Sequence, residues 1–188
     1  MILETQRLIL RPWSEADAES LYEYAKDPRV GPAAGWPVHT GVENSREVIR
    51  AVLSVEGTFA VCPKEDPRPV GSVGIFPSRQ KSGDGDPSDL EIGYWIGVPF
   101  WGRGLIPEAV NELLRYGFEE KHCERIWCGY FDGNEKSRRA QEKCGFVYHH
   151  TEENIYWPTT GETKTEHFTC MSRERWEQRF AAEKNESK

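Results

Sequence analysis

The sequence predicts one α/β domain on a mixed sheet, and three observations carry that expectation. Period-two apolar segments alternate with capped amphipathic helices in the order β-α-α-β-β-β-α-β-α-β-β. No internal repeat divides the chain. No break in composition does either, and 188 residues suit one domain with a real core. The domain is expected to span residues 1–180, with residues 181–188 as a polar C-terminal tail.

Each element has its own signal. In "QRLILR", Leu8 and Leu10 alternate with Arg7, Ile9 and Arg11, which predicts the first strand. Ser14 and Asp17 have capping-box spacing, and Ala18, Leu21, Tyr22 and Ala25 fall on one face of the helix that follows, which Pro28 ends. After the loop "GPAAGWPVHT", Thr40 and Glu43 predict a second capping box. The helix behind it carries Val42, Ser45, Val48, Ile49, Val52 and Leu53 and runs to Gly57. "TFAVC", "VGSVGIF" and "LEIGYWIGV" read as three strands, the last preceded by the turn-rich "KSGDGDPSD".

A helix is predicted from Pro107, with Val110, Leu113, Leu114 and Phe118 inward and Ile106 just ahead of it. "RIWCGYF" is a strand. "NEKSRRAQEKCG" is a helix capped by Asn134 and stopped by Gly145. "FVYHH" and "TEHFTCM" predict a closing antiparallel pair, and a last polar helix carries Trp176 and Phe180 four apart.

Composition excludes several classes. A formal net charge of −7 argues against nucleic acid as a partner, because such binding needs Lys and Arg to neutralise phosphates. No apolar run reaches the roughly 20 residues of a membrane span, and "MILETQRLIL" lacks the pattern of a signal peptide, so no membrane partner is expected. The five cysteines form no C-x-x-C pair, which predicts reduced thiols in a cytoplasmic protein. His149, His150 and His167 show no ligand spacing of a known type, and no metal is expected.

The informative stretch is "VPFWGRGLIPEAV", residues 98–110. A Gly-x-Gly ahead of a helix can be a tight turn, a dinucleotide fingerprint or an anion cradle. The fingerprint needs a third glycine where Pro107 stands, and no G-x-x-x-x-G-K-[ST] occurs anywhere in the chain. Read as a cradle, the amides of Gly102 through Ile106 converge on a phosphate, aided by the helix dipole and by Arg103. Pro107 as first helical residue removes only an N–H that lacks a helical partner.

With its flanks, this stretch resembles the GNAT superfamily of acyl-CoA-dependent N-acyltransferases, in its RimJ/RimL-like branch. The resemblance runs from "ETQRLILRPW" to "KTEHFTCMSRERW", through "GWPVHT", "LEIGYWIGVPFWGRGLIPEAV" and "NEKSRRAQEKCGF" in order. It implies a sheet splayed between the fourth and fifth predicted strands, flanked by helices, with acetyl-CoA as co-substrate. It also implies that the loop binds the pyrophosphate of coenzyme A. The family's loop pattern falls on Trp101, Gly104 and Ile106: Gly104 fits, whereas Trp101 and Ile106 depart from it, Ile106 being larger than usual.

The same resemblance sets Trp95, Ile96, Gly97, Val98, Trp101, Gly102, Arg103, Gly104, Leu105, Ile106, Asn134, Ser137 and Arg138 beside the cofactor. Glu91, the one carboxylate inside its strand, is then the candidate general base, its alternative a salt-bridge partner. Ser137 is the candidate proton donor to the leaving thiolate, since the tyrosine common in other branches is replaced by Gln141. Asn134 would hold the pantetheine arm or simply cap its helix. Lys136, Arg138 and Arg139 are either a solvated face or the ribose-phosphate contact.

Trp36, Pro37, Glu91, Tyr156 and Trp157 are expected around the acceptor, a primary amine and foremost a peptide α-amine, the aromatics among them having a place in the core as their alternative. A small-molecule amine is the alternative acceptor. A non-catalytic acyl-CoA-binding module is the alternative function, and a nicotinamide oxidoreductase is disfavoured by the missing glycine.

Overall fold

The computed structural model describes residues 1–79 and 88–186, so most of the predicted "KSGDGDPSD" turn lies outside the described residues. Eight strands form one sheet: β1 (Leu3–Glu4), β2 (Leu8–Arg11), β3 (Thr58–Pro63), β4 (Gly71–Pro77), β5 (Leu90–Ile96), β6 (Arg125–Phe131), β7 (Val147–Trp157) and β8 (Glu162–Ser172). Their order is β1-β2-β3-β4-β5-β6-β8-β7. Every pair is antiparallel except β5 and β6.

Period-two alternation gives the sheet two apolar faces. Phe59 and Val61 pack toward α3 (Leu105–Arg115), while Ala60 and Cys62 pack toward α1 (Ala18–Ala25) and α2 (Val42–Val48). With both faces covered, all six residues of β3 are buried. On α3, Leu105, Ile106, Ala109, Val110, Leu113 and Leu114 form the buried stripe. Trp176 of α5 (Arg173–Glu186) stacks on Phe118 at 5.3 Å and ties the last helix to this core.

The parallel pair positions the site. β5 and β6 pair only at Leu90–Ile126, Glu91–Trp127 and Ile92–Cys128. Beyond that, β5 continues against β4 to Ile96, and β6 continues against β8 to Phe131. The sheet therefore opens into a V, between the strands predicted as fourth and fifth; a short β1 ahead of them shifts the count.

Four expectations are corrected. The Thr40–Glu43 capping box does not form; the Asn44 side chain accepts the Thr40 N–H at 3.1 Å instead. Val52 is exposed, because Ile49–Leu53 form a π turn whose wider i→i+5 winding rotates it off the apolar face. Helix α3 begins at Leu105, which makes Pro107 its third residue, still within the turn whose N–H groups lack helical partners. The closing strands are eleven residues each, and β8 lies between β6 and β7.

Candidate active site at the sheet splay

The open V leads into a cleft of about 510 Å³ lined from β5, β6, β8, the 100–107 loop and α4 (Glu135–Lys143). Its residues divide by chemistry into a basic end, a hydroxyl-bearing middle and an acidic end.

At the basic end the chain turns through two left-handed glycines, Gly102 and Gly104, both at φ 75°. A side chain there would be conformationally strained, although a Cβ on Gly102 would meet nothing within 4 Å. The Arg103 N–H bonds back to Phe100 O at 3.4 Å. Among the described residues the amides of Gly102, Gly104, Leu105 and Ile106 have no protein acceptor, so four donors stand at the N-terminus of α3. Arg7 braces this turn, donating to Arg103 O at 3.0 Å and to Glu108 on α3 at 2.6 Å.

Cations gather beside the loop. The Trp101 indole donates to Ile96 O at 3.0 Å, and its ring carries Lys136 Nζ at 3.8 Å and the Arg29 guanidinium at 6.0 Å. On α4, Lys136, Arg139 and Lys143 recur at i, i+3 and i+7 and share the face that lines the cleft. Arg138 is turned off that face and pairs with Glu135 at 3.5 Å and Glu142 at 3.2 Å.

Arg103 lies outside the cleft wall too, with its guanidinium 5.2 Å from the Phe100 ring. Gly97 and Val98 do not line the cleft either; Tyr24 packs where a Gly97 Cβ would sit. Trp95, Ile96, Trp101, Gly102, Gly104, Leu105, Ile106, Asn134 and Ser137 all line it. Ile106 is mainly a core residue, 6% exposed, which is how the loop accommodates its size. The Lys136→Ala/Arg139→Ala pair is expected to weaken binding of a polyphosphate ligand and to flatten its salt dependence, while Arg138→Ala changes neither; calorimetry at two ionic strengths checks this.

In the middle, Tyr94 Oη and Ser137 Oγ are 2.8 Å apart, and Tyr94 also donates to Ser137 O at 3.2 Å. Gln141 Nε2 donates to Gly129 O at 2.9 Å and to Ser137 Oγ at 3.3 Å, while its Oε1 accepts from Thr169 at 2.7 Å. Burial pushes the Tyr94 phenol well above its ordinary range, so it stays protonated. Tyr94 has one hydroxyl proton to share between Ser137 O and Ser137 Oγ, so either hydroxyl can donate across the 2.8 Å contact, and the Gln141 amide donates to Ser137 Oγ as well. Asn134 caps α4 by accepting the Ser137 N–H at 3.2 Å, and its amide donates to Ala33 O at 3.2 Å.

Tyr94 carries a sequence signal only as an apolar-face residue of its strand. It reaches the site because the cleft passes through the opened sheet and meets both faces of β5.

At the acidic end two carboxylates are buried, Glu91 at 8% and Glu166 at 5% exposure. Arg79 holds Glu91 through its backbone N–H at 3.1 Å, Nε at 3.0 Å and Nη2 at 2.6 Å, and reaches Glu166 at 3.4 Å. Burial raises the Glu166 carboxyl above the ordinary range, against the pull of Arg79, and the Glu91 charge raises it further. Glu166 has one legible signal: it stands on the same inward alternation of β8 as Phe168, where an apolar residue is expected.

Of the residues expected at the acceptor, Glu91 and Trp157 line the cleft. Trp157 donates to Gly35 O at 2.6 Å, packs edge-on against Phe131 at 5.1 Å and lies under the Arg79 guanidinium at 5.3 Å. Trp36 packs instead against Trp95 at 5.6 Å and His39 at 5.1 Å, Pro37 is exposed, and Tyr156 points to solvent because it neighbours Trp157 on a strand. Ala33 and Ala34 of the same interhelix loop line the cleft in place of Trp36 and Pro37.

Cys128 also lines the cleft, but complete burial raises its thiol far above the ordinary range; Cys144 is raised to about 12. Neither supplies a thiolate nucleophile at neutral pH. Among the described residues no group of three or more His, Cys, Asp or Glu side chains could hold a metal.

Comparison with known proteins follows the same geometry. Residues 7–147 match the model of the acetyltransferase (GNAT) domain. A Bacillus licheniformis protein called uncharacterized N-acetyltransferase p20 is 35% identical over 129 residues, covering 66% of this chain and 70% of its own. The crystal structure of a GNAT-family acetyltransferase from Bacillus anthracis superposes with TM-score 0.78 at 23% identity, over 93% of this chain and 99% of that one. Ribosomal-protein-S5-alanine acetyltransferase from Vibrio fischeri shares the fold with TM-score 0.70 at 19% identity, over 94% and 98%.

Proposed function

Because the chain belongs to the GNAT family of acetyltransferases and is an acyl-CoA-dependent N-acetyltransferase, we propose that it acetylates the α-amine of a peptide or protein N-terminus. The observation that carries this reading is the partition of charge along one cleft. Unpartnered loop amides with Lys136, Arg139 and Lys143 stand at one end, and Glu91 and Glu166 at the other. The first end suits the phosphates of acetyl-CoA, the second a primary ammonium.

Between the ends lies the unpaired part of β5, where the backbone beyond Ile92 is free of β6 and can align an extended pantetheine arm. A Cβ on Gly93 would meet nothing within 4 Å, so that stretch faces open space. Holding amine and thioester together in one complex permits direct attack without a covalent acyl-enzyme. That fits the buried, protonated thiols. The Vibrio fischeri protein, whose name specifies an alanine of a ribosomal protein, lends the α-amine reading a parallel at the level of fold.

Ser137 is assigned to protonate the leaving thiolate. Its demand is small, because a thiol of pKa about 8.5 leaves with little assistance. Ser137→Ala is therefore expected to lower kcat by less than the ~10²-fold typical of a general acid, with Kd for acetyl-CoA unchanged. A rise in that Kd with kcat intact would make Ser137 a binding contact only. The function itself is tested by turnover against N-terminal peptides and small amines, read by mass spectrometry.

A further inference from the structure

Arg79 is shared unequally by the two buried carboxylates. It gives Glu91 its backbone N–H, its Nε and its Nη2, while Glu166 receives only the same Nη2 at 3.4 Å. Among the described residues, one guanidinium against two carboxylates leaves the acidic end one negative charge in excess. Both carboxylates line the cleft. Space for Glu166 is built into the backbone of β6: a Cβ at Gly129 would sit 2.2 Å from Glu166 Oε1.

Among the described residues, the titratable and charged groups facing Glu166 are Arg79, Glu91 on β5, Cys128 on β6 and Glu152 on β7. The guanidinium is the single cation among them, and it is committed chiefly to Glu91.

We propose that Glu166 is the group that takes the proton from the acceptor ammonium, and that the Glu91–Arg79 pair positions it. The proposal rests on the reading of the cleft as an amine-acetylating site. The ammonium gives one proton to the Glu166 carboxylate, directly or through one water, and becomes a neutral amine. Its lone pair forms the C–N bond to the thioester carbonyl carbon, and the C–S bond breaks. The nitrogen's second proton balances the thiolate, with Ser137 as relay, and Glu166 later returns its proton to solvent.

Glu91 is assigned a positioning role because Arg79 N–H groups already occupy both its oxygens. The raised carboxyl of Glu166 agrees with its role: buried and beside Glu91, it holds a proton more readily than an exposed glutamate.

The experiment measures kcat/KM against pH for the full chain with acetyl-CoA and an α-amine peptide, alongside Kd for acetyl-CoA. Wild type is expected to show an acid limb set by protonation of Glu166, so activity falls as pH drops through that value, and a plateau above it. Glu166→Gln is expected to lose at least tenfold at pH 7 and to replace that profile with a rise that levels off only above the amine pKa of about 7.8, with Kd unchanged.

Glu166→Asp should keep the wild-type profile at reduced height. In Glu91→Gln the profile should survive with its acid limb at lower pH, because Arg79 is freed to pair with Glu166. A wild-type profile in Glu166→Gln, or loss of the acid limb in Glu91→Gln with its retention in Glu166→Gln, overturns the assignment. Wild-type chain that binds acetyl-CoA but acetylates no primary amine overturns the amine reading beneath it.

Discussion

Replacing Gly104 by valine is expected to weaken acetyl-CoA binding at least tenfold, about 1.4 kcal/mol, in a chain that remains folded. Gly104 is the residue on which α3 starts, at φ 75°, a left-handed conformation that a β-branched side chain adopts only under strain. Space is not the obstacle, since the nearest atom to a Cβ at this position would be Arg7 Nη2 at 3.6 Å. The strain, of order 1–3 kcal/mol, is relieved by rotating the turn. That rotation swings the Gly102, Gly104, Leu105 and Ile106 amides out of convergence.

The fold should survive, because Leu105, Ile106 and Ala109 keep α3 anchored in the core. Calorimetric titration with acetyl-CoA and a thermal melt together read both effects. Unchanged affinity in folded protein would remove the loop as the phosphate site.

The second large effect concerns which amine is used. Peptide α-amines are expected to exceed ε-amines in kcat/KM by about 10²-fold near pH 7, in peptides matched in sequence. An ammonium cannot attack a thioester, so the amine must first lose a proton. At pH 7 an α-amine of pKa about 7.8 is neutral roughly one time in seven, and a lysine amine near 10.4 about once in 2,500. The acidic end offers two carboxylates, one of them occupied by Arg79, and among the described residues that line the cleft there is no histidine or other neutral base. A carboxylate base is better matched to the more acidic ammonium. Initial rates on two peptides, one with only its α-amine free and one with only a lysine amine free, measure the ratio. Equal rates, or a lysine preference, would overturn it.

Where local chemistry decides geometry, the sequence is legible. The Ser14–Asp17 capping box, the Asn134 cap, the Gly145 stop and the α3 stripe all lie where spacing puts them. The splay follows from the family resemblance carried by "LEIGYWIGVPFWGRGLIPEAV", and so do the loop and Ser137.

Long-range placement is less legible. Nothing local marks Arg7 as the brace of the 100–107 loop or Arg79 as the partner of Glu91, because each contact joins distant segments. Arg138 and Lys136 are indistinguishable as basic residues of one helix, and only the rotation of α4 against the cleft separates them. The position of Trp36 in its loop leaves the acceptor wall and the core equally open. Packing decides for the Trp13–Trp95 cluster, where burying a large ring is worth more than exposing it in a cleft.

The central claim is that one cleft holds acetyl-CoA at its basic end and delivers the acetyl group to an α-amine at its acidic end. The most direct measurement incubates the chain and acetyl-CoA with a peptide carrying both a free α-amine and a lysine, and locates the acetyl group by fragment mass spectrometry. The account predicts acetyl-CoA-dependent acetylation at the α-nitrogen, lost in Glu166→Gln at neutral pH. Acetylation confined to the lysine nitrogen, or none on either amine, would contradict it.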